Sequence, residues 1–315
     1  MTKVLVTGGA GFIGSNLVRA LLERGAAVRV LDNFATGARA NLEGLARDVE
    51  VVEGDLRSYE RVHTAVRGVE LVYHEGALGS VPRSVQDPLT TTAVNVEGTL
   101  NVLLAARDEN VRRVVYASSS SVYGDGGELP RSEDQAPNPI SPYGVAKLAA
   151  ERFCVSFTRV YGLETVALRY FNVFGPRQDP SSQYAAVVPL FIRSIAEGRT
   201  ITIDGDGEQS KDFTYVANVV EANVLAGDAP EAAGRVLNIA TGGSETVNDV
   251  ARTIGRLLGK PVDAVHGPER PGDVRQSSAD VSAARDVLGF APSVGFEDGL
   301  RRTIESLDLE SGRQV

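Results

Sequence analysis

The chain has 315 residues, 43% hydrophobic and 23% charged, a balance that excludes wholesale disorder and fits one large α/β domain or two modest ones. Its formal net charge of -9 argues against a nucleic-acid backbone or an anionic membrane surface as partner. The single cysteine, Cys154, excludes an intrachain disulfide and a cysteine-rich metal site, and no apolar run reaches the ~18 residues of a membrane span. No metal is expected, a reducing cytoplasm is the expected location, and the first residues are expected to enter a strand with no leader.

Val-rich runs with little polar alternation predict buried parallel strands at 3–7, 27–31, 49–52, 71–74, 113–117 and 165–170. Helical patterns lie between them at 15–24, 59–66, 93–108 and 142–161. The last of these starts with Ser141 as N-cap and Pro142 in the first helical position. Strand and helix in alternation imply a doubly wound α/β sheet. Residues 171–190 are rich in Pro, Gly, Ser and Gln and are expected to form a long functional loop. Helices are expected again at 189–196, 247–258 and 281–288, in a smaller C-terminal lobe over the carboxyl end of the sheet.

Glycine occurs 33 times, above the usual ~7%, and its placement is informative. The first strand runs into Gly8-Gly9-Ala10-Gly11-Phe12-Ile13-Gly14 and then a helix. Gly8 and Gly11 allow a tight turn and close approach of a pyrophosphate. Gly14 lets the helix pack on the strand, and the helix N-terminus offers free N–H groups. Asp32 ends the second strand, where a carboxylate accepts hydrogen bonds from ribose hydroxyls and repels a 2′-phosphate. Asn33-Phe34-Ala35-Thr36-Gly37 follows with no arginine, which favours NAD over NADP. Asp55-Leu56 and Ala77-Leu78 sit at later strand ends, where they could cover the adenine and line the pyrophosphate.

Tyr143 and Lys147 are four apart on one predicted helix face. The ammonium is expected to lower the phenol pKa and prepare a general base. Ser118 to Ser121, at the end of the fifth strand, put hydroxyls at the mouth of the sheet.

Together, the glycine motif, Ser119, Tyr143-x-x-x-Lys147, Leu168-Arg169-Tyr170-Phe171-Asn172 and Gly205-x-Gly207 to Asp212-Phe213 resemble the extended short-chain dehydrogenase/reductases, and within them the nucleotide-sugar 4-epimerases. The resemblance covers nearly the whole chain. It implies a Rossmann doubly wound parallel sheet with a smaller C-terminal substrate-binding lobe. Residues 1–170 plus about 212–241 would hold NAD, and 171–211 plus 242–315 a UDP-sugar. By the same resemblance Tyr143 is the catalytic base, Lys147 its partner and Ser119 the hydroxyl assisting at sugar O4. Gly8, Gly11, Phe12, Ile13, Asp32, Asn33, Asp55, Leu56, Ala77, Asn95, Tyr143 and Lys147 match positions around NAD. Gly79, Ser80, Ser120, Asn172, Ala186, Val187, Lys211, Arg270, Asp273 and Ser277 match positions around the UDP-sugar. A homodimer formed through helices 93–108 and 142–161 is also implied.

Two departures stand out. Lys211 replaces the usual arginine, giving a single ammonium in place of a bidentate fork. His74-Glu75-Gly76-Ala77 replaces a His-Leu-Ala-Ala pattern and brings in an unexpected carboxylate. The related dehydratases carry an Asp-Glu pair after the catalytic hydroxyl. Ser120 and Ser121 stand there instead, which argues against water elimination. Asn172, where UDP-glucuronate 4-epimerases commonly have Thr, leans away from a carboxylated sugar. Small residues at Gly79, Ser120, Ala186 and Ser277 imply room for an N-acetyl group. The expected reaction is therefore C4 epimerisation of UDP-N-acetylhexoses, with UDP-glucose and UDP-galactose as further candidates. A UDP-glucuronate epimerase, a net oxidoreductase or decarboxylase, and a non-catalytic NAD sensor remain the alternatives.

Overall fold

The computed structural model describes residues 2–45, 48–180, 186–269 and 274–311. Seven parallel strands form the central sheet, in the order β11-β6-β5-β4-β1-β2-β3. They are β1 (Lys3–Thr7), β2 (Ala27–Asp32), β3 (Val49–Glu53), β4 (Leu71–His74), β5 (Arg113–Ser119), β6 (Glu164–Tyr170) and β11 (Val236–Ile239). Alternate residues feed opposite faces. Val4 and Val6 pack into one core and Leu5 into the other; Val115 and Ala117 oppose Val114 and Tyr116. Burial on both sides explains why these strands read as continuous apolar runs. The doubly wound sheet inferred from the sequence is therefore the fold. β11, which the strand pattern missed, adds a seventh strand beside β6.

On one face lie α2 (Tyr59–Val66), α5 (Gly98–Asp108) and α6 (Pro142–Tyr161); α1 (Phe12–Glu23) and α8 (Val216–Asp228) cover the other. α6 has the predicted bounds. Ser141 Oγ accepts the Gly144 N–H at 3.1 Å, and Gly162 ends the helix at φ 72°. α1 begins three residues earlier than expected, because Gly11 already takes the extended N-cap conformation (φ -77°, ψ -179°). The single helix expected at 93–108 is a wide π turn over Ala93–Glu97 followed by α5, and it continues directly from α4 (Pro88–Thr92). α3 (Val81–Gln86) precedes them, and neither it nor α4 had a distinct sequence signal.

The smaller lobe contains α7 (Val187–Ala196), α9 (Val247–Leu258) and α10 (Ser282–Leu288). A capping box between Thr246 and Asp249 starts α9 at the expected residue. α11 (Phe296–Ser311) was not anticipated. Three small sheets complete the fold. β7 (Val173–Phe174) pairs with β10 (Thr214–Tyr215), and β8 (Ile201–Asp204) with β13 (Ala264–Gly267). β9 (Ser210–Lys211) lies between β12 (Glu245–Thr246) and β14 (Gln276–Ser277). Thus the expected loop of 171–190 contains β7 and yields to α7 at Val187. No helix among the described residues is long and apolar enough to cross a membrane, and none of their side chains form a cluster suited to a metal ion.

Candidate active site

A cleft of about 910 Å3 runs along the carboxyl ends of the strands. Gly8, Gly11, Phe12 and Ile13 form its centre. Gly8 has φ 67°, and a methyl placed on it would stand 2.6 Å from Gly76 Cα. A methyl on Gly14 would stand 2.2 Å from the Gly8 carbonyl oxygen. Only glycine admits this close packing of turn, strand and helix. No side chain caps α1, so its first amides are left for a ligand facing them.

Asp32, Asn33, Asp55 and Leu56 line one end of the cleft. Asp32 ties the turn together: Oδ2 accepts the Ala10 N–H at 2.9 Å and Oδ1 the Phe34 N–H at 2.8 Å. Each oxygen keeps a lone pair for a ribose hydroxyl. Arg57, an arginine the local sequence around Asp32 did not reveal, also lines this end. Its guanidinium is held by Asp55 through two hydrogen bonds of 2.9 and 2.7 Å, and this pairing draws the Asp55 carboxyl down to about 2. The cradle of glycines, the uncapped helix and the acidic strand end fit a dinucleotide such as NAD.

Ala77, Gly79, Ser80, Ser119, Ser120 and Tyr143 line the other end. Tyr143 sits in the first turn of α6, and its N–H donates to Ser84 Oγ at 3.0 Å. Ser84 Oγ donates to Val81 O at 2.7 Å, so α3 and α6 are locked together. Neither Ser84 nor this contact was legible from sequence spacing. Burial raises the Tyr143 phenol, and a hydrogen bond with Ser119 works in the opposite direction. The expected lowering by Lys147 is therefore not what the protein alone displays. Lys147 Nζ lies 5.9 Å from the Tyr143 ring centre and donates to Ala117 O at 2.7 Å. Burial brings the Lys147 ammonium down to about 8.

Three predicted residues line neither the cleft nor the cavity beside it. Lys147 is buried. Asn95, on the π turn, grips the loop after β4: its Oδ1 accepts the Leu78 N–H at 2.8 Å and its Nδ2 donates to Leu78 O at 3.1 Å. Ser277 is buried on β14, paired in register with Lys211. Asn172 and Ala186 line both this cleft and an adjoining cavity of about 220 Å3, whose wall includes Val187, Lys211, Phe191 and Phe213. Asn172 adopts φ 36° and donates from Nδ2 to Asp212 O at 3.1 Å. Arg270 and Asp273 lie outside the described residues.

His74 proves structural. Thr99 Oγ1 donates to Asn95 O, so the His74 Nε2–H donates to Thr99 and Nδ1 accepts from Thr7. Both ring nitrogens are used, and burial keeps the imidazole neutral, down to about 3.

This fold and this cleft belong to a recognisable class. Residues 4–240 match the model of the NAD dependent epimerase/dehydratase family. The chain is 38% identical to a UDP-glucose 4-epimerase of Mycolicibacterium smegmatis over 311 residues, covering 96% of this chain and 97% of the relative. It superposes on a UDP-glucose 4-epimerase of Thermotoga maritima solved with UDP-glucose (TM-score 0.94, 37% identity, 98% of this chain and 100% of the other). It also superposes on a UDP-N-acetylglucosamine 4-epimerase of Methanobrevibacter ruminantium solved with UDP-N-acetylmuramic acid (TM-score 0.93, 39% identity, 98% and 99%). The chain belongs to the NAD dependent epimerase/dehydratase family, within the extended short-chain dehydrogenase/reductases, and its cofactor is NAD.

Proposed function

We propose that this protein epimerises UDP-hexoses at C4, with UDP-N-acetylglucosamine and UDP-N-acetylgalactosamine as the preferred pair. The observation that carries the reading is the convergence of the Tyr143 phenol and the Ser119 hydroxyl, with Lys147 behind them, at one end of a dinucleotide cleft that opens into a second cavity. NAD, when bound, supplies reversible acceptance of a hydride from sugar C4. Gly8, Gly11, Phe12 and Ile13 would hold its pyrophosphate; Asp32, Asn33, Asp55 and Leu56 its adenosine end; Ala77, with Asn95 behind it, the loop beside it.

Tyr143 takes the proton of the sugar 4-hydroxyl, and Ser119 orients that oxygen by hydrogen bonding. The Lys147 ammonium favours the phenolate over the phenol. The same phenol returns its proton once the 4-keto sugar has turned over. Ser120 and Ser121 offer no carboxyl for water elimination. Asn172, Ala186, Val187 and Lys211, with Arg270 and Asp273, would hold the uridine diphosphate. Gly79 supports room at sugar C2, because a methyl placed there would meet nothing within 4 Å. In this reading 1–170 with about 212–241 serve the cofactor, and 171–211 with 242–315 the sugar nucleotide. Exposed Val145, Phe153, Val160 and Tyr161 on α6 support a homodimer through that helix. The reading carries with it a reducing, cytoplasmic setting, in which the buried Cys154 thiol stays free.

The test is incubation of purified protein with UDP-N-acetylglucosamine, UDP-glucose or UDP-glucuronate, without added cofactor, and chromatographic separation of C4 epimers. NAD-loaded protein that interconverts no pair refutes the reading, and conversion of UDP-glucuronate alone replaces the substrate. Tyr143→Phe is expected to lower kcat by about 10²–10⁴-fold while bound NAD is retained. Ser277→Tyr is expected to suppress turnover of N-acetylated sugars selectively; equal loss on all sugars removes Ser277 from substrate choice.

A further inference from the structure

The reaction above makes no use of Glu75, which is among the residues lining the cleft. Its backbone is pinned. The neighbouring Gly76 N–H donates to Thr7 Oγ1 at 3.1 Å, and Thr7 is itself bonded to His74. Glu75 follows β4 and Tyr170 ends β6, two strands away in the sheet, and the Tyr170 hydroxyl donates to Glu75 Oε1 at 2.8 Å. The Tyr170 oxygen also receives Asn223 Nδ2, from α8, at 2.7 Å. This leaves the single phenolic hydrogen for Glu75, so Asn223 and Tyr170 form a relay that presents a donor to the carboxylate. Three elements thus fix one acidic group at the carboxyl end of the sheet, in the cleft that Ser118–Ser121 also line. The titratable groups that act on it are Tyr170 on β6 and Lys147 on α6; neutral His74 precedes it in the chain, and Tyr143 lines the same cleft.

We propose that Glu75 is a positioning residue for the cofactor's redox state: its anion, opposing Lys147, favours the oxidised, cationic nicotinamide over the reduced, neutral one. This rests on assigning the Tyr143 end of the cleft to the nicotinamide. A fixed charge shifts an equilibrium only through its different interaction with the two states, and the nicotinamide ring is positive in just one of them. Lys147 acts in the opposite sense, so the two groups balance the ring between giving and taking hydride. Burial raises the Glu75 carboxyl to about 7, so the effect switches on through neutral pH. Hydride transfer to the ring costs more when Glu75 is ionised, and the enzyme is less prone to be stranded with reduced cofactor.

The experiment follows reduction of the protein's bound NAD by sodium cyanoborohydride at 340 nm, from about pH 5.5 to 8.5, and needs no sugar. Glu75→Gln keeps an acceptor for Tyr170 but removes the charge. It is expected to be reduced about tenfold faster than wild type at the alkaline end, a typical effect of one charge several ångströms away in a partly screened site, and equally fast at the acid end. Tyr170→Phe keeps the charge but removes the hydroxyl that stabilises it, so the midpoint of the wild-type pH dependence moves upward. Equal rates for wild type and Glu75→Gln at the alkaline end overturn the proposal, as does the same ratio at both ends, which would mark a merely structural change. In either case a wild type that still epimerises leaves the proposed function standing. Failure of wild type to bind NAD overturns the cleft assignment and this proposal with it.

Discussion

Glu151 and Arg169 form a fully buried ion pair beneath the site, with side chains 0% and 1% exposed. Glu151 Oε1 accepts from Arg169 Nη2 at 2.8 Å; Oε2 accepts from Arg169 Nε at 2.9 Å and from Ser118 Oγ at 2.9 Å. Glu151 lies one turn beyond Lys147 on α6, so the pair clamps α6 to β5 and β6 just behind Ser119. Glu151→Ala leaves a guanidinium buried with no counter-charge, which costs about 3–5 kcal/mol. Unfolding a chain of this length gains about 0.66 kcal/mol/K of entropy at the midpoint, so Tm falls by about 5–8 °C. Arg169→Met strands the carboxylate and costs a similar amount. The double variant Glu151→Met/Arg169→Met removes both charges and is expected to recover most of the loss, because the penalty comes from the unpaired ion rather than from the missing attraction. Differential scanning calorimetry of all four proteins at saturating NAD measures the cycle. A loss below about 1 kcal/mol for Glu151→Ala, or a double variant costing the sum of the singles, refutes the reasoning.

Gly14→Ala puts a methyl 2.2 Å from a backbone oxygen that has no rotamer to yield. A cost of about 1–3 kcal/mol and at least a tenfold weaker NAD affinity by calorimetry are expected; wild-type affinity would show that the turn is not the cofactor cradle. His74 gives a pH signature. Its folded pKa, about 3, lies below the ordinary 6.5, so the stability it contributes is full above pH 6.5 and is lost as pH falls toward 3. The slope is at most about 1.4 kcal/mol per pH unit. Glu75, shifted upward, works the other way between about 4.5 and 7, so the informative quantity is the difference from His74→Gln. Urea unfolding should give a flatter acid limb for that variant, and parallel limbs would contradict a neutral buried imidazole.

The relation between sequence and site is uneven in a physically regular way. The glycine turn, Asp32 at its strand end, and the bounds of α6 and α9 were legible because their causes are local. A positive φ, an N-cap serine, a proline at the first position or a capping box acts within a few residues. α1 was placed too late for the same kind of reason: the amphipathic pattern begins at Ser15, but the helix is opened by the backbone geometry of Gly11.

What the tertiary structure alone decided concerns groups far apart in the chain. Lys147 and Tyr143 were recognised as a pair, yet burial, not their spacing, sets the phenol's direction in the free protein. Asn95 was assigned to the cofactor and acts on the loop that would hold it, a contact made 17 residues away. Glu75 was visible as an anomaly without an explanation, because its partners, Tyr170 and Asn223, lie 95 residues beyond it and 53 further on. The composition, the strand periodicity and the glycine turn determined the sheet and the dinucleotide cradle. Burial and long-range hydrogen bonding, which no local pattern encodes, decided the charge balance at the Tyr143 end of the cleft.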